Sequence, residues 1–123
     1  MKAYEINGVT VKTHVVNGSE CVYWCSDWSQ IDSLGLNRVD FIKLDIEGME
    51  AAALDGASAT IVREKPFLLV EWVHAGKEPI EAFLTHVGYE WAYIGMNAMC
   101  GPKGNEIVPR IAALEAGRMK GQA

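Results

Sequence analysis

Apolar and polar positions near the start of the chain alternate with a period of two. Val9, Val11, Thr13 and Val15 interleave with Thr10, Lys12, His14 and Val16, as on a half-buried strand. Asn7-Gly8 and Asn17-Gly18 punctuate this region, and Asn-Gly tolerates the positive φ angles of tight hairpin turns. Residues 2–25 therefore read as an antiparallel meander of three short strands. A short helix is predicted between Asp27 and Gly35, capped by Ser26 or Asp27.

The pattern then changes. Val39 to Asp45 is a dense apolar and β-branched run, as expected of a strand buried on both faces. Within it Lys43 needs a carboxylate partner, because unpaired charges are rarely buried. Met49 to Arg63 reads as one helix, with Leu54, Ala57, Ile61 and Val62 on its inner face. Pro66 to Trp72 is a second buried-strand run. The two runs with the helix between them make a strand–helix–strand unit, for which a right-handed crossover is expected. Pro79 opens a further helix with Ile80, Phe83, Leu84 and Val87 at helical spacing, and Gly88 closes it. Tyr89 to Gly95 reads as a strand, residues 96–106 as a loop, and Ile107 to Lys120 as a helix with a weak face, Ile111 and Leu114.

The fold class is therefore α/β: a partial Rossmann-like sheet built of strand–helix–strand units behind an N-terminal antiparallel β-meander. One domain of residues 1–123 is expected, with the meander over 1–25, the Rossmann-like half over 26–95, and a loop and C-terminal helix over 96–123.

Composition narrows the function classes. The 123 residues are 50% hydrophobic and 22% charged, the balance of a globular domain. They are too few for a barrel of eight strand–helix units, which takes ~250, and few for a doubly wound domain with two nucleotide-binding halves. Eleven basic residues stand against 16 acidic ones, a net charge of −5, with no basic run; no nucleic-acid partner is expected. No apolar window approaches membrane-spanning length, so no membrane partner is expected either. Cys21, Cys25 and Cys100 have no framework or metal spacing and read as buried free thiols. With no leader-like apolar stretch at Met1 to Val11, the expected compartment is the cytoplasm.

Candidate chemistry sits where the two buried strands end. In open α/β sheets ligands bind beyond the carboxyl ends of parallel strands. The first run ends in Asp45, Glu47 and, at the following helix, Glu50; the second ends in Glu71, Trp72 and His74. If the strands are neighbours, Asp45, Glu47, Glu71 and His74 meet at one rim. Such a group suits general-base work or the holding of ligand hydroxyls. A hard cation on Asp45, Glu47 and Glu71 is a weaker reading, and no metal site is assigned. Glu47 and Glu50 equally suit the positive end of a helix dipole. Trp72 could stack on a flat ligand or serve as core.

The block Val39-Asp40-Phe41-Ile42-Lys43-Leu44-Asp45-Ile46-Glu47-Gly48-Met49-Glu50, followed by Leu54-Asp55-Gly56-Ala57 and Lys65-Pro66-Phe67-Leu68-Leu69-Val70-Glu71, resembles the C-terminal half of FkbM-type methyltransferases. Ile31-Asp32-Ser33-Leu34 before it, and Phe83-Leu84 and Gly88-Tyr89 after it, fit the same family, so the resemblance covers about residues 30–95. It implies S-adenosylmethionine as cofactor and methylation of a hydroxyl on a small molecule or sugar. Asp45 and Glu47 would line the cofactor and acceptor cleft. Glu71 would sit at the next strand tip, and a carboxylate or His74 would take the acceptor's proton. Glu50 and Trp72 are the candidate acceptor contacts. The glycine-rich turn of D-x-G-A-N-x-G type that carries the family's cofactor contacts does not occur in these 123 residues. A homo-oligomer, or a partner chain that supplies the missing half, is the expected route to activity. The alternative is an inactive binding or assembly module of methyltransferase descent.

Overall fold

A computed structural model describes the backbone of residues 2–6, 9–16, 19–24, 31–45 and 48–121, and side chains within 31–118 except those of residues 34, 46 and 47. The chain is mixed α/β. Strands β1 (Lys2–Ile6), β2 (Val9–Val16) and β3 (Ser19–Trp24) come first, then a single 3-10 turn at Ile31–Leu34. Strand β4 (Phe41–Leu44) leads through α1 (Glu50–Asp55) and α2 (Ser58–Glu64) to β5 (Phe67–Glu71). Helix α3 (Lys77–His86), the hairpin β6 (Tyr89–Ile94) and β7 (Asn97–Pro102), and helix α4 (Ile107–Gly121) complete the chain. The sheet order is β1-β2-β3-β4-β5-β7-β6. The Asn-Gly turns expected of the meander, Cys25, and the helix expected from Asp27 to Gln30 lie outside the described residues.

The four-stranded part β4-β5-β7-β6 carries the core. β4 and β5 run parallel, Ile42 beside Leu68 and Leu44 beside Val70. β7 is antiparallel to both β5 and β6, so β6 points the same way as β5. Ile42, Leu44, Leu68, Val70, Ala98 and Cys100 share one face and are fully buried. They pack with Leu54, Ala57 and Ile61 of the α1–α2 segment and with Ile80 and Leu84 of α3. Burial on this scale, at roughly 25 cal/mol per Å² of apolar surface, drives folding. On the other face Phe41, Phe67, Leu69 and Met99 are only half-buried, and Lys43 is exposed. β4 is thus buried on one face, not two, and Lys43 reaches solvent and needs no buried partner. Helix α4 covers β6 and β7 on this second face, where Val108 and Ala92 are buried.

Four local expectations change. The helix over 49–63 is two helices, broken at Gly56-Ala57. The break is stabilised from outside. Asp32 in the 3-10 turn accepts the Ala59 N–H at 3.1 Å and the Thr60 N–H at 2.8 Å. Those are the second and third residues of α2, the donors an N-cap side chain would satisfy. The residue in the N-cap position is Ala57, which cannot do so. The Asp32 N–H in turn donates to the Gly56 carbonyl at 3.0 Å. Arg63 adds a second tie, donating to the Leu36 carbonyl at 3.0 Å. With the register reset, Val62 turns outward and is 57% exposed.

α3 begins at Lys77, not Pro79; Pro79 still lies in the first turn, where a missing N–H costs nothing. The loop of 96–106 contains β7. It lies between β5 and β6, and small residues let it fit there: a Cβ on Gly101 would lie 2.8 Å from Phe67 Cε1. Only glycine lets that ring lie on the backbone. The last helix forms, but it seats on Val108, while Leu114 is 67% exposed. Asn105 starts it, accepting the Ile107 and Val108 N–H groups at 2.9 and 2.7 Å.

Candidate functional site at the carboxyl tips of β4 and β5

The parallel pairing of β4 and β5 brings the segments after Leu44 and after Glu71 side by side. Gly48 has φ +105°, and a Cβ built there would lie 3.6 Å from His74 Cβ. The positive φ favours glycine. The space beside it is taken up to van der Waals contact by the second loop. Asp45 and His74, two of the residues expected to meet at the rim, are both exposed at these tips. Glu71, a third, is half-buried, with Oε1 3.9 Å from His74 Nε2. Glu47, the fourth, lies outside the described residues.

Glu50 is placed differently from an acceptor contact. It is 1% exposed, and its Oε1 accepts the Gly48 N–H at 2.9 Å. A buried carboxylate needs such donors, and here the bond fixes the loop that carries Asp45 and Gly48. Glu50 thus points inward, toward the Gly48 backbone.

Trp72 is half-buried against the core. Its indole N–H donates to the Gly95 carbonyl at 3.0 Å, and its backbone N–H to the Met96 carbonyl at 3.0 Å, locking the β5 tip to the β6–β7 turn. Its ring meets Tyr93 edge-on, with centroids 6.0 Å apart at 74°. Lys77, in the first turn of α3, places Nζ 4.4 Å from the Trp72 ring centroid and 4.2 Å from that of Tyr93. Cation–π contacts of this kind are worth about 0.5–2 kcal/mol. The Tyr93 hydroxyl donates to Glu81. Burial, then the Glu81 carboxylate, raises the ionisation of that phenol well above its ordinary range. Nothing in the residue pattern announced Lys77, Glu81 and Tyr93; only α3 starting two residues early brings Lys77 over the rings.

Among the described residues no three of His, Cys, Asp and Glu converge in the manner of a metal site, and no helix is long and apolar enough to cross a membrane. Two surface grooves, of about 310 and 180 Å³, lie at the other end of the sheet around Tyr89 and Lys103. The tips of β4 and β5 are singled out by their chemistry. Cys100 is a buried free thiol, pushed up to about 12 by burial, and takes no part at the tips.

No curated protein and no solved structure matches the chain. The model of the Methyltransferase FkbM domain matches residues 26–91, a span that contains the Asp32 cap, β4, both short helices, β5 with its tip, α3 and the start of β6. With more than half of its length inside that match, the chain belongs to the FkbM methyltransferase domain family.

Proposed function

We propose that this chain carries the acceptor side of an S-adenosylmethionine-dependent O-methyltransferase with a Rossmann-like sheet, acting on a hydroxyl of a small molecule or sugar. The observation that supports the reading is that Glu71 and His74 lie 3.9 Å apart at the tip of β5, beside the parallel strand β4 that leads into Asp45, inside the family match. This is where open α/β sheets bind ligands.

The donor set fits one side of the cofactor. Exposed Asp45, with Glu47 beside it in sequence, and half-buried Glu71 offer acceptors to ammonium and hydroxyl groups. The glycine-rich turn that would cradle the rest does not occur in these 123 residues. In the assembled enzyme that turn comes from residues outside these 123. When bound, S-adenosylmethionine supplies the electrophilic methyl group. The residues of this chain do the rest. Gly48, held by Glu50, sets the position of the Asp45 loop. Trp72, anchored to the β6–β7 turn, forms an apolar wall for the acceptor. His74 takes the acceptor hydroxyl's proton as the oxygen attacks, and Glu71 orients its imidazole. Holding the hydroxyl in line with the methyl group contributes much of the rate.

One sequence observation favours a second reading, an inactive binding or assembly module: the absent glycine-rich turn. Calorimetric titration of S-adenosylmethionine into the chain, alone and with whatever chain co-purifies, separates the two. Saturable binding in either sample that weakens in Asp45→Asn supports the methyltransferase reading. No heat in either sample leaves the module.

A further inference from the structure

Strand β6 is the outer strand of the sheet. Among the described residues it pairs with β7 alone, so the main-chain N–H and C=O groups of its other edge have no strand partner there. Proteins usually blunt such an edge with proline, lysine, a bulge or a cover. β6 reads Tyr-Glu-Trp-Ala-Tyr-Ile. It has no proline and no lysine, its register with β7 is unbroken, and strand-forming aromatic residues dominate it. Its only charge, Glu90, is drawn to Asn105 Nδ2 at 2.8 Å.

The edge also has complementary ends. At its start lies the groove of about 310 Å³ lined by Thr85, Tyr89, Glu90, Trp91 and Lys103. At its far end stand exposed apolar side chains, Ile94 at 36% and Met96 at 59%. An antiparallel two-fold arrangement brings the far end of one edge to the start of the other, twice over. Side chains opposite each other across an antiparallel pair lie on the same face. Pairing centred on Ala92 then sets Trp91 against the second copy's Tyr93, and Glu90 against its Ile94. Met96 of each copy reaches the Tyr89–Trp91 groove of the other. The register centred on Glu90 is disfavoured, since it opposes two carboxylates.

We propose that two copies of this chain associate edge to edge through β6, forming one continuous sheet across a two-fold axis centred on Ala92. This interface lies at the opposite margin of the sheet from β1. It does not depend on the chemistry of Asp45, Glu71 or His74.

The test is sedimentation velocity combined with hydrogen exchange at two protein concentrations. The expected result is a reversible dimer whose β6 amides gain protection as concentration rises. Ile94→Lys and Thr85→Lys both alter exposed positions, and each is expected to weaken dimerisation at least about tenfold, equivalent to 1.4 kcal/mol, with unchanged circular dichroism. A chain that stays monomeric at high concentration overturns the proposal. So does a dimer whose β6 protection does not depend on concentration, or one that both lysine variants leave intact.

Discussion

The two ends of the β4–β5 pair are built on opposite principles. At the amino end backbone and side-chain hydrogen bonds close the fold. The Phe67 N–H donates to the Asp40 carbonyl at 2.9 Å, and the buried Tyr89 hydroxyl donates to the Pro66 carbonyl at 2.6 Å. Arg63 and Asp32 bind the preceding segment to α2. At the carboxyl end the polar groups Asp45 and His74 face solvent, and Glu71 is half-covered. Glu50 and Trp72 are anchored there to loop backbone, and Glu71 lies 3.9 Å from His74. The amino end spends its polar groups on closing the fold, while the carboxyl end leaves Asp45 and His74 at the surface. Substitutions at the first should cost stability and those at the second function.

The largest break should come from the shared core. Leu68→Ala removes a fully buried side chain and should cost about 3 kcal/mol in urea unfolding. A loss below about 1 kcal/mol would mean that the two helices do not press on the sheet as described.

Alkali should attack the same closed region. Burial raises the Cys100 thiol from 9.0 to about 12 and pushes the Tyr89 phenol well above its ordinary 10.0. Above pH 9 the unfolded chain releases a proton that the folded chain keeps, so stability falls as pH rises. The slope should reach about 1.4 kcal/mol per pH unit for each group. In denaturant midpoints measured across this range, Cys100→Ala should remove the earlier part of the decline. Tyr89→Phe should remove the later part, at a cost of about 1 kcal/mol at neutral pH for the lost hydrogen bond.

Asp32→Ala should cost about 1 kcal/mol by uncapping α2, and Asp32→Asn should retain most of the stability because its oxygen still accepts. Equal losses in the two variants would mean that charge, not capping geometry, holds the helix. At the carboxyl end the expected stability changes are smallest. His74→Ala and Glu71→Gln should each stay within about 0.5 kcal/mol of the parent while abolishing or sharply lowering methyl transfer in the assembled enzyme. A large drop in melting temperature for either would erase the contrast between the two ends.

Much of this frame was legible in the residues. β4, β5 and the face of α3 stand out because dense apolar runs and helical spacing record burial directly, and Ile80, Phe83 and Leu84 are indeed buried. The strand tips followed from those runs. What escaped depends on residues far away in sequence. Gly56-Ala57 breaks a helix because Asp32, 28 positions before Thr60, supplies the cap. β7 hides its strand character because Phe67 requires glycine opposite it. Glu50 looks like a rim carboxylate until its inward bond to Gly48 is seen. Local pattern reports which faces are apolar; it does not report which side chain will reach across to satisfy a backbone group.

The central claim, that ligand chemistry resides at the β4 and β5 tips, is tested most directly by amide NMR of the isotope-labelled chain titrated with S-adenosylmethionine, with the co-purifying chain present where there is one. Chemical-shift changes confined to Asp45, Gly48 and Trp72 through Gly76 are the predicted result. Changes centred on Tyr89 and Lys103, or none at saturating cofactor, would contradict it.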